Sequence, residues 1–238
     1  MISRRRRHQA LEPGPPLVVI SPHLDDAVLS CAEVLRRHPG STVITAFAGR
    51  PSDGRWSNWD RTCFRAGQDP IPVRREEDRR ALAMLGASPI HLPFLDVEYE
   101  EPCTVEEVAG ALERQLADLD PPHVLVPLGI KHHDHEMTHR AASLLFDERR
   151  RWTIYAELPY RVEYGDLVAR RRRELEEASV ELTPEHVPRD DNRLAKLAAI
   201  QEYRSQVRAL GEQRIRRSLR RERYWRVTGL PGGTAVRG

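Results

Sequence analysis

Short apolar runs alternate along the chain with longer segments whose apolar positions recur every three or four residues. The short runs predict strands at residues 17–22, 42–47, 91–94, 123–128 and 153–158. The longer segments predict helices at residues 26–37, 73–85, 104–118 and 135–147. Because the strands lack polar gaps at alternate positions, both faces of their sheet should be covered. The pattern therefore predicts a single α/β domain of doubly wound, Rossmann-like class, with a mainly parallel sheet and helices on both faces.

The two ends of the chain and one long connection depart from this alternation. Residues 1–16 include a run of four arginines and end in a Pro-Gly-Pro-Pro turn, which predicts a flexible basic arm, and residues 231–238 predict a flexible tail. The domain is expected over residues 17–230. The apolar residues of 48–72 show no regular spacing, which predicts a long loop. This loop either shapes a pocket or lies on the surface without a role in binding. Further charged, amphipathic helices are predicted at 166–178, 191–210 and 214–223.

The composition is that of an ordinary soluble globular protein. Of 238 residues, 39% are hydrophobic, and 38 basic residues against 36 acidic ones give a formal net charge of only +2. This balance indicates neither a nucleic-acid partner nor a membrane surface, and no apolar run approaches the ~18 residues of a membrane span. Cys31, Cys63 and Cys103 are too scattered for a disulfide framework, which favours a reducing, cytoplasmic setting.

Two of the predicted strands end in clusters of His and Asp. His23, Asp25 and Asp26 close the strand that begins at Leu17, and His132-His133-Asp134-His135 follows the strand at 123–128. In an open α/β sheet, ligands bind beyond the carboxyl ends of the strands. Both clusters are therefore expected at that edge.

These residue types suit a zinc site. Zinc in a hydrolase usually takes three protein ligands and keeps a fourth position for water. His23 and Asp26, three apart in the first turn of a helix, can face one point, and His135 would complete the set. Asp25 must project elsewhere, close to the bound water. Either cluster alone is more simply a helix N-cap with a satisfied neighbour, but the two together favour Zn²⁺ or another divalent transition metal.

The paired clusters resemble the motifs of the PIG-L-like, or LmbE-like, zinc-dependent amidases, which remove acetyl groups from N-acetylglucosamine-type sugars and related conjugates. Leu24 and His133 stand where the commonest form of the two family motifs has proline, and neither is a presumed ligand. The motif around Asp25 resembles that of a family branch associated with bacterial sugar modification and secondary metabolism. The resemblance extends over residues 17–210 and includes Arg74-x-x-Glu77, Leu85-Gly86-Ala87, Phe94-Leu95-Asp96, Leu158-Pro159-Tyr160, Lys196 and Tyr203-x-Ser205-Gln206.

The resemblance implies that the chain is an enzyme, a zinc-dependent N-deacetylase. It makes His23, Asp26 and His135 the zinc ligands and Asp25 the general base. A general base of this kind takes a proton from the attacking water and returns it to the departing amine.

Four further polar residues receive expected roles. His132, as an imidazolium, is the candidate second donor to the oxyanion, with Asp134 fixing its ring. Arg74 and Asp96 match family positions that contact sugar hydroxyls. Two simpler roles stay open, because Arg74 could begin a helix with Glu77 as its partner and Asp96 could cap a turn.

Aromatic residues and the remaining histidines have less definite expectations. Trp56, Trp59 and Tyr160 can supply aromatic faces to a sugar, although such residues more often pack a loop. His133 is expected to be exposed, and His139 is expected at the surface or behind the ligands.

Other functions fit parts of the sequence. Arginine runs could form a cationic surface for nucleic acid, but neighbouring glutamates and the balanced charge argue against it. The same metal site could hydrolyse a different amide or a thiol-sugar conjugate, or the chain could be a non-catalytic homologue, which the intact clusters disfavour. The expected partner is therefore a small-molecule sugar or glycoconjugate, without nucleic acid or a membrane span, and the oligomeric state stays open.

Overall fold

The computed structural model describes residues 9–187 and 193–230. In these residues eight strands form one sheet in the order β1-β7-β8-β6-β5-β2-β3-β4. The strands are β1 (Gln9–Ala10), β2 (Val18–Ser21), β3 (Thr42–Thr45), β4 (Ser88–His91), β5 (His123–Pro127), β6 (Arg151–Tyr155), β7 (Glu181–His186) and β8 (Tyr224–Gly229). The helices are α1 (Asp26–Arg37), α2 (Asn58–Cys63), α3 (Pro70–Met84), α4 (Val105–Leu119), α5 (His133–Ser143), α6 (Tyr160–Glu163), α7 (Gly165–Glu177), α8 (Arg193–Gln201) and α9 (Arg204–Ser218).

The strand order places a topological switch point between β2 and β5. From β2 the chain moves outward through β3 and β4, then returns to pair β5 with the other side of β2. These strands and β6 run parallel, whereas β8 runs antiparallel between β6 and β7. The predicted α/β class is confirmed, and the crevice lies where Ser21 and Pro127 end the two central strands.

Two hydrophobic cores cover the two faces of the sheet. One core packs α4, α5 and α7 against the sheet around residues such as Leu112 and Ile154. The other packs α1, α3, α8 and α9 around residues such as Val19 and Leu82. This two-sided burial explains why the central strands have no alternating polar positions.

Several element boundaries differ from the predicted ones. The edge strand β4 covers Ser88–His91 instead of 91–94, because Pro93 has no amide hydrogen for the ladder and forms only an isolated bridge with Phe47. The helix predicted over 191–210 breaks at Tyr203, whose buried ring turns inward and donates to the Asp78 carboxylate at 2.7 Å. The helix predicted at 214–223 ends at Ser218, and the next segment forms β8.

The terminal and loop predictions meet the structure in part. Residues 1–8 and 231–238 lie outside the described residues, but Gln9–Ala10 pair with β7 and Leu11 is buried, so the predicted arm of 1–16 is too long. The 48–72 loop contains α2. Across residues 9–187 and 193–230, no helix combines the length and apolar character needed to cross a membrane. The cytoplasmic setting stays a prediction.

Candidate metal centre and active-site cleft

The two His/Asp clusters meet at the carboxyl edge of the sheet, because β2 and β5 are neighbouring strands. Asp26 lies at the centre of the group. Its Oδ2 is 3.2 Å from His23 Nδ1 and 3.1 Å from His135 Nε2. Ligand atoms from all three residues lie within 4.8 Å of one another, and all three residues are buried. The structure therefore brings together the three residues that the sequence suggested as metal ligands.

The turn into α1 is held by Ser21 and Asp26, without Asp25. The Ser21 hydroxyl accepts from the Ala27 amide at 3.1 Å and donates to the His23 carbonyl at 2.7 Å. The His23 amide donates to Asp26 Oδ2 at 3.0 Å. Asp25 occupies the N-cap position but its side chain makes no capping hydrogen bond. Its carboxylate therefore remains available to the cleft that it lines.

His135 provides the strongest indication that a cation belongs here. Its ring is fully buried on the first turn of α5, and neither ring nitrogen makes a hydrogen bond of good geometry. Nδ1 lies 3.3 Å from Glu157 Oε1, and that oxygen accepts from the amides of Gly129 at 2.7 Å and Ile130 at 3.2 Å. A buried Nε2 that makes no well-aligned hydrogen bond, even 3.1 Å from the Asp26 carboxylate, is costly, and a divalent metal would give it a partner.

Buried charge perturbs the ion-free site. Burial opposes protonation of His135, but the carboxylates of Asp26 and Glu157 raise its pKa to about 9. Burial also opposes ionisation of Asp26, and His135 and His23 nevertheless hold its pKa well below the usual range. The carboxylates thus favour positive charge at the point where the nitrogens meet, which a divalent cation would supply while displacing the proton.

A second possible ligand group shares His23. His23 Nε2 lies 3.0 Å from Asp134 Oδ2 and 3.4 Å from Asp96 Oδ2, and His132 completes this group. In this group Asp134 Oδ2 also accepts from the Val97 amide at 3.1 Å. The group of His23, Asp26 and His135 fits a cation better because it contains the unbonded nitrogen.

The Asp134 carboxylate lies closer to His23 than to His132, the partner that the sequence suggested. His132 Nδ1 accepts from the Asp134 amide at 3.2 Å, which caps α5, whereas the Asp134 carboxylate lies 3.9 Å away and bonds His23 instead. Burial and the neighbouring His23 and His135 lower the pKa of His132 to about 4. This lower pKa disfavours the expected imidazolium in the ion-free site, and the accepting Nδ1 leaves Nε2 as the donor of the neutral ring.

Asp25 and Arg74 line the cleft side by side with the metal group. Burial, then the charge of Asp26, raises the pKa of Asp25 to about 6, although Arg74 opposes the rise. Arg74 is only 6% exposed, and its Nε has no hydrogen-bond partner. Glu77 does not pair with it, because the Glu77 carboxylate accepts from the amide and hydroxyl of Ser205.

Asp96 has the capping role that the sequence left open, and its other carboxylate oxygen lies in the cleft. Its Oδ1 accepts from the Glu98 amide at 3.0 Å and caps a 3₁₀ turn at Val97–Tyr99, while its Oδ2 faces His23. The cleft has a volume of about 170 Å³. It is lined by His23, Asp25, Asp26, Leu29, Trp59, Arg74, Asp96, Glu98, His132, Pro159, Tyr160, Gln206, Leu210 and Arg214.

Two of the three aromatic candidates line the cleft, and neither of the two remaining histidines does. Trp59 and Tyr160 line the cleft, and Tyr160 also packs edge-on against His135. Trp56 instead packs against Phe64, outside the cleft lining. His133 is exposed, and His139 is buried behind the site with its Nδ1 2.7 Å from the Pro127 carbonyl.

Comparison with known proteins agrees with this site. The family described as GlcNAc-PI de-N-acetylase, PIG-L, matches residues 18–146, a span that contains both His/Asp clusters. The chain belongs to the PIG-L family. The match ends before Glu157 and Tyr160. For these parts of the cleft, the similarity comes from comparisons with whole proteins.

Three similar proteins extend the comparison beyond the PIG-L match. The 2'-N-acetylparomamine deacetylase of Niallia circulans is 26% identical over 236 aligned positions that cover 82% of each chain. The crystal structure of the A40926 pseudoaglycone deacetylase is 28% identical, with a TM-score of 0.75 over 89% of this chain and 96% of that one. A zinc-inhibited form of teicoplanin deacetylase is 25% identical, with a TM-score of 0.75 over 92% of this chain and 100% of that one.

Proposed function

We propose that this chain is a zinc-dependent N-deacetylase that removes the acetyl group from an N-acetylglucosamine-type sugar of a glycoconjugate in bacterial secondary metabolism. Its membership of the PIG-L family supports the reaction, and the named substrates of its relatives support the sugar. The observation that carries the proposal is the unbonded Nε2 of His135, 3.1 Å from Asp26 Oδ2 at the switch point of the sheet.

His23, Asp26 and His135 would hold the metal. Glu157 faces the other ring nitrogen of His135 and would fix the ring in the orientation that ligation needs. A bound zinc ion supplies a positive charge that lowers the pKa of the attacking water to about 7 and polarises the amide carbonyl. Because one relative was crystallised in a zinc-inhibited form, any assay must vary both the metal and its concentration.

Asp25 would move the proton. It lines the cleft next to the metal group, stays outside that group and makes no capping bond, so its carboxylate can accept a proton from the attacking water. It would then return this proton to the departing amine, which leaves poorly while it is unprotonated.

His132 would stabilise the oxyanion from the opposite side. Because its Nδ1 accepts from the Asp134 amide, the neutral ring presents an Nε2–H donor. A donor of this kind stabilises charge that develops in the transition state. Arg74 and Asp96 would hold sugar hydroxyls, a role supported by the unbonded, buried Nε of Arg74 in the cleft.

The test uses the purified chain, freed of metal by a chelator and reloaded with measured amounts of zinc, cobalt or manganese. It is incubated with a panel of N-acetylated glycosides, and the products are read by mass spectrometry. Deacetylation removes about 42 mass units and releases acetate in equal amount. His135→Gln should abolish the metal-dependent rate, and His133→Gln, a matched change at an exposed neighbour, should not.

Acetate release that persists unchanged in the chelated protein, or in His135→Gln, would refute the metal-dependent reaction. Metal-loaded protein that releases a different product from a thiol-sugar conjugate, and no acetate from any glycoside, would replace deacetylation with another amide hydrolysis.

A further inference from the structure

The 48–72 loop is tied to the body of the protein through Trp59 and Gln206. The indole Nε1 of Trp59 donates to Gln206 Oε1, and the Trp59 amide donates to Glu98 Oε2 at 2.9 Å. Gln206 is buried in the first turn of α9 and is only 2% exposed. A loop tryptophan is therefore held at the cleft by two independent hydrogen bonds.

Gln206 is itself fixed by contacts that lead to α3. Its Nε2 donates to Ser205 Oγ at 2.7 Å. The Ser205 amide donates to Glu77 Oε1 at 2.8 Å, and the Ser205 hydroxyl donates to the other Glu77 oxygen. Three buried or partly buried groups thus set the position of one indole ring, and none of them belongs to the metal group.

The lining of this cleft contains both polar and apolar side chains. Asp25, Arg74 and His132 line it together with His23 and Asp26 of the metal group. Trp59 and Leu210 line the same cleft from the loop and from α9. The polar side chains offer proton transfer and hydrogen bonds, whereas Trp59 and Leu210 offer an aromatic face and an aliphatic side chain.

The size of the cleft limits how much of a substrate it can hold. A volume of about 170 Å³ is below the ~300 Å³ at which pockets for drug-sized ligands begin, so it holds little more than one sugar ring. A group attached to that ring must therefore extend along the rest of the cleft lining, which includes the apolar side chains of Trp59 and Leu210. Aromatic side chains with their polar end satisfied are well suited to bind such a group.

We propose that Trp59, positioned by Gln206, forms together with Leu210 of the same cleft lining a subsite for an apolar or aromatic aglycone. The preferred substrate is then an N-acetyl sugar attached to such an aglycone, in place of a free sugar or one with a small substituent. This inference rests on the proposed deacetylase function and adds the substrate class.

Two substrates that differ only in the aglycone test the subsite: the methyl and the phenyl β-glycosides of N-acetylglucosamine. The zinc-loaded wild type should prefer the phenyl glycoside in kcat/KM, mainly through a lower KM. Trp59→Leu should reduce this preference about tenfold, the contribution of one aromatic contact. Trp56→Leu changes a tryptophan of the same loop outside the cleft lining and should leave the preference intact.

Gln206 is tested as a positioning residue by two variants. Gln206→Leu removes the acceptor of the indole N–H, so the KM for the phenyl glycoside should rise more than the KM for the methyl glycoside. Gln206→Glu keeps an oxygen at that point and should retain more of the preference. Equal losses on both substrates in Gln206→Leu and Gln206→Glu would overturn the positioning role.

Calorimetry separates this inference from the proposed function. Binding of both glycosides is measured on zinc-loaded Asp25→Asn, with and without Trp59→Leu. If the wild type released no acetate but phenyl glycoside binding were tighter and depended on Trp59, deacetylation would fail and the subsite would stand. Equal affinity for the two glycosides, or a preference that survives Trp59→Leu, would overturn the subsite.

Discussion

Glu157 Oε1 lies 3.3 Å from His135 Nδ1 at the floor of the site, and both side chains are fully buried. Glu157 follows β6, the third of the neighbouring strands whose carboxyl ends surround the cleft. The carboxylate is held by the amides of Gly129 and Ile130, in the turn that leads from β5 to the second cluster. The buried Glu157 carboxylate thus links the end of β6 to the turn after β5 and to His135.

This contact predicts a specific effect of Glu157→Gln. The amide keeps the shape of the side chain but removes the charge that supports His135, so zinc affinity should fall about 10- to 100-fold. Competition with a chromophoric chelator measures the affinity. Wild-type affinity in Glu157→Gln would contradict the supporting role, and the exposed Glu136→Gln on the same helix α5 is the matched control.

Asp25→Asn should separate proton transfer from metal binding. The amide cannot accept the proton of water, so turnover should fall by at least about 10²-fold, while the zinc content after dialysis stays at the wild-type value. Metal analysis and acetate release are measured on the same sample. Activity within about tenfold of wild type would show that another group is the base.

His132→Ala tests the oxyanion donor. Removing the Nε2–H should lower kcat about 10²- to 10³-fold with little change in zinc content. If zinc is lost together with activity, the alternative group of His23, Asp96, His132 and Asp134 holds the metal instead. His132→Asn, which offers a donor of similar reach, should recover part of the loss.

His123 predicts a pH-dependent contribution to the stability of the metal-free protein. The ring is buried and bonds Thr153 Oγ1 at 3.0 Å, and burial, then the charge of Arg151, lowers its pKa to about 3. Because the folded pKa is below the unfolded value of about 6.5, the neutral ring stabilises the fold fully above pH 6.5. This contribution is lost as pH falls toward 3, at up to about 1.4 kcal/mol per pH unit.

Urea unfolding of the wild type and of His123→Gln between pH 7 and pH 4.5 measures this contribution. The difference in the free energy of unfolding between the two proteins should shrink steadily below pH 6.5. A difference that stays constant over this range would contradict the assignment.

The local sequence predicts the central strands of the sheet better than β8, which lies between β6 and β7. The strand ends that carry His23 and His135 follow uninterrupted apolar runs, whose burial on both faces leaves little choice of structure. The strand β8 was not predicted, because its charged neighbourhood hides a short apolar segment, which is buried only through pairing with β6 and β7. Such long-range pairing is not encoded in a local period.

The site shows the same division. The residues of the metal group could be predicted because each cluster is compact and follows a strand. Glu157 was missed because it stands alone, although a carboxylate just after a third apolar strand was the available signal. The Asp134 carboxylate was expected to orient His132, as carboxylates commonly do for histidine, whereas the fold brings it closer to His23, 111 positions away.

Anomalous diffraction at the zinc absorption edge, on crystals of the zinc-loaded protein, tests the metal assignment most directly. A single strong peak in contact with His23, Asp26 and His135, with Asp25 outside its ligand shell, is predicted, and the peak should vanish in His135→Gln. A peak between Asp96, His132 and Asp134, or no peak at this edge of the sheet in active protein, would contradict it.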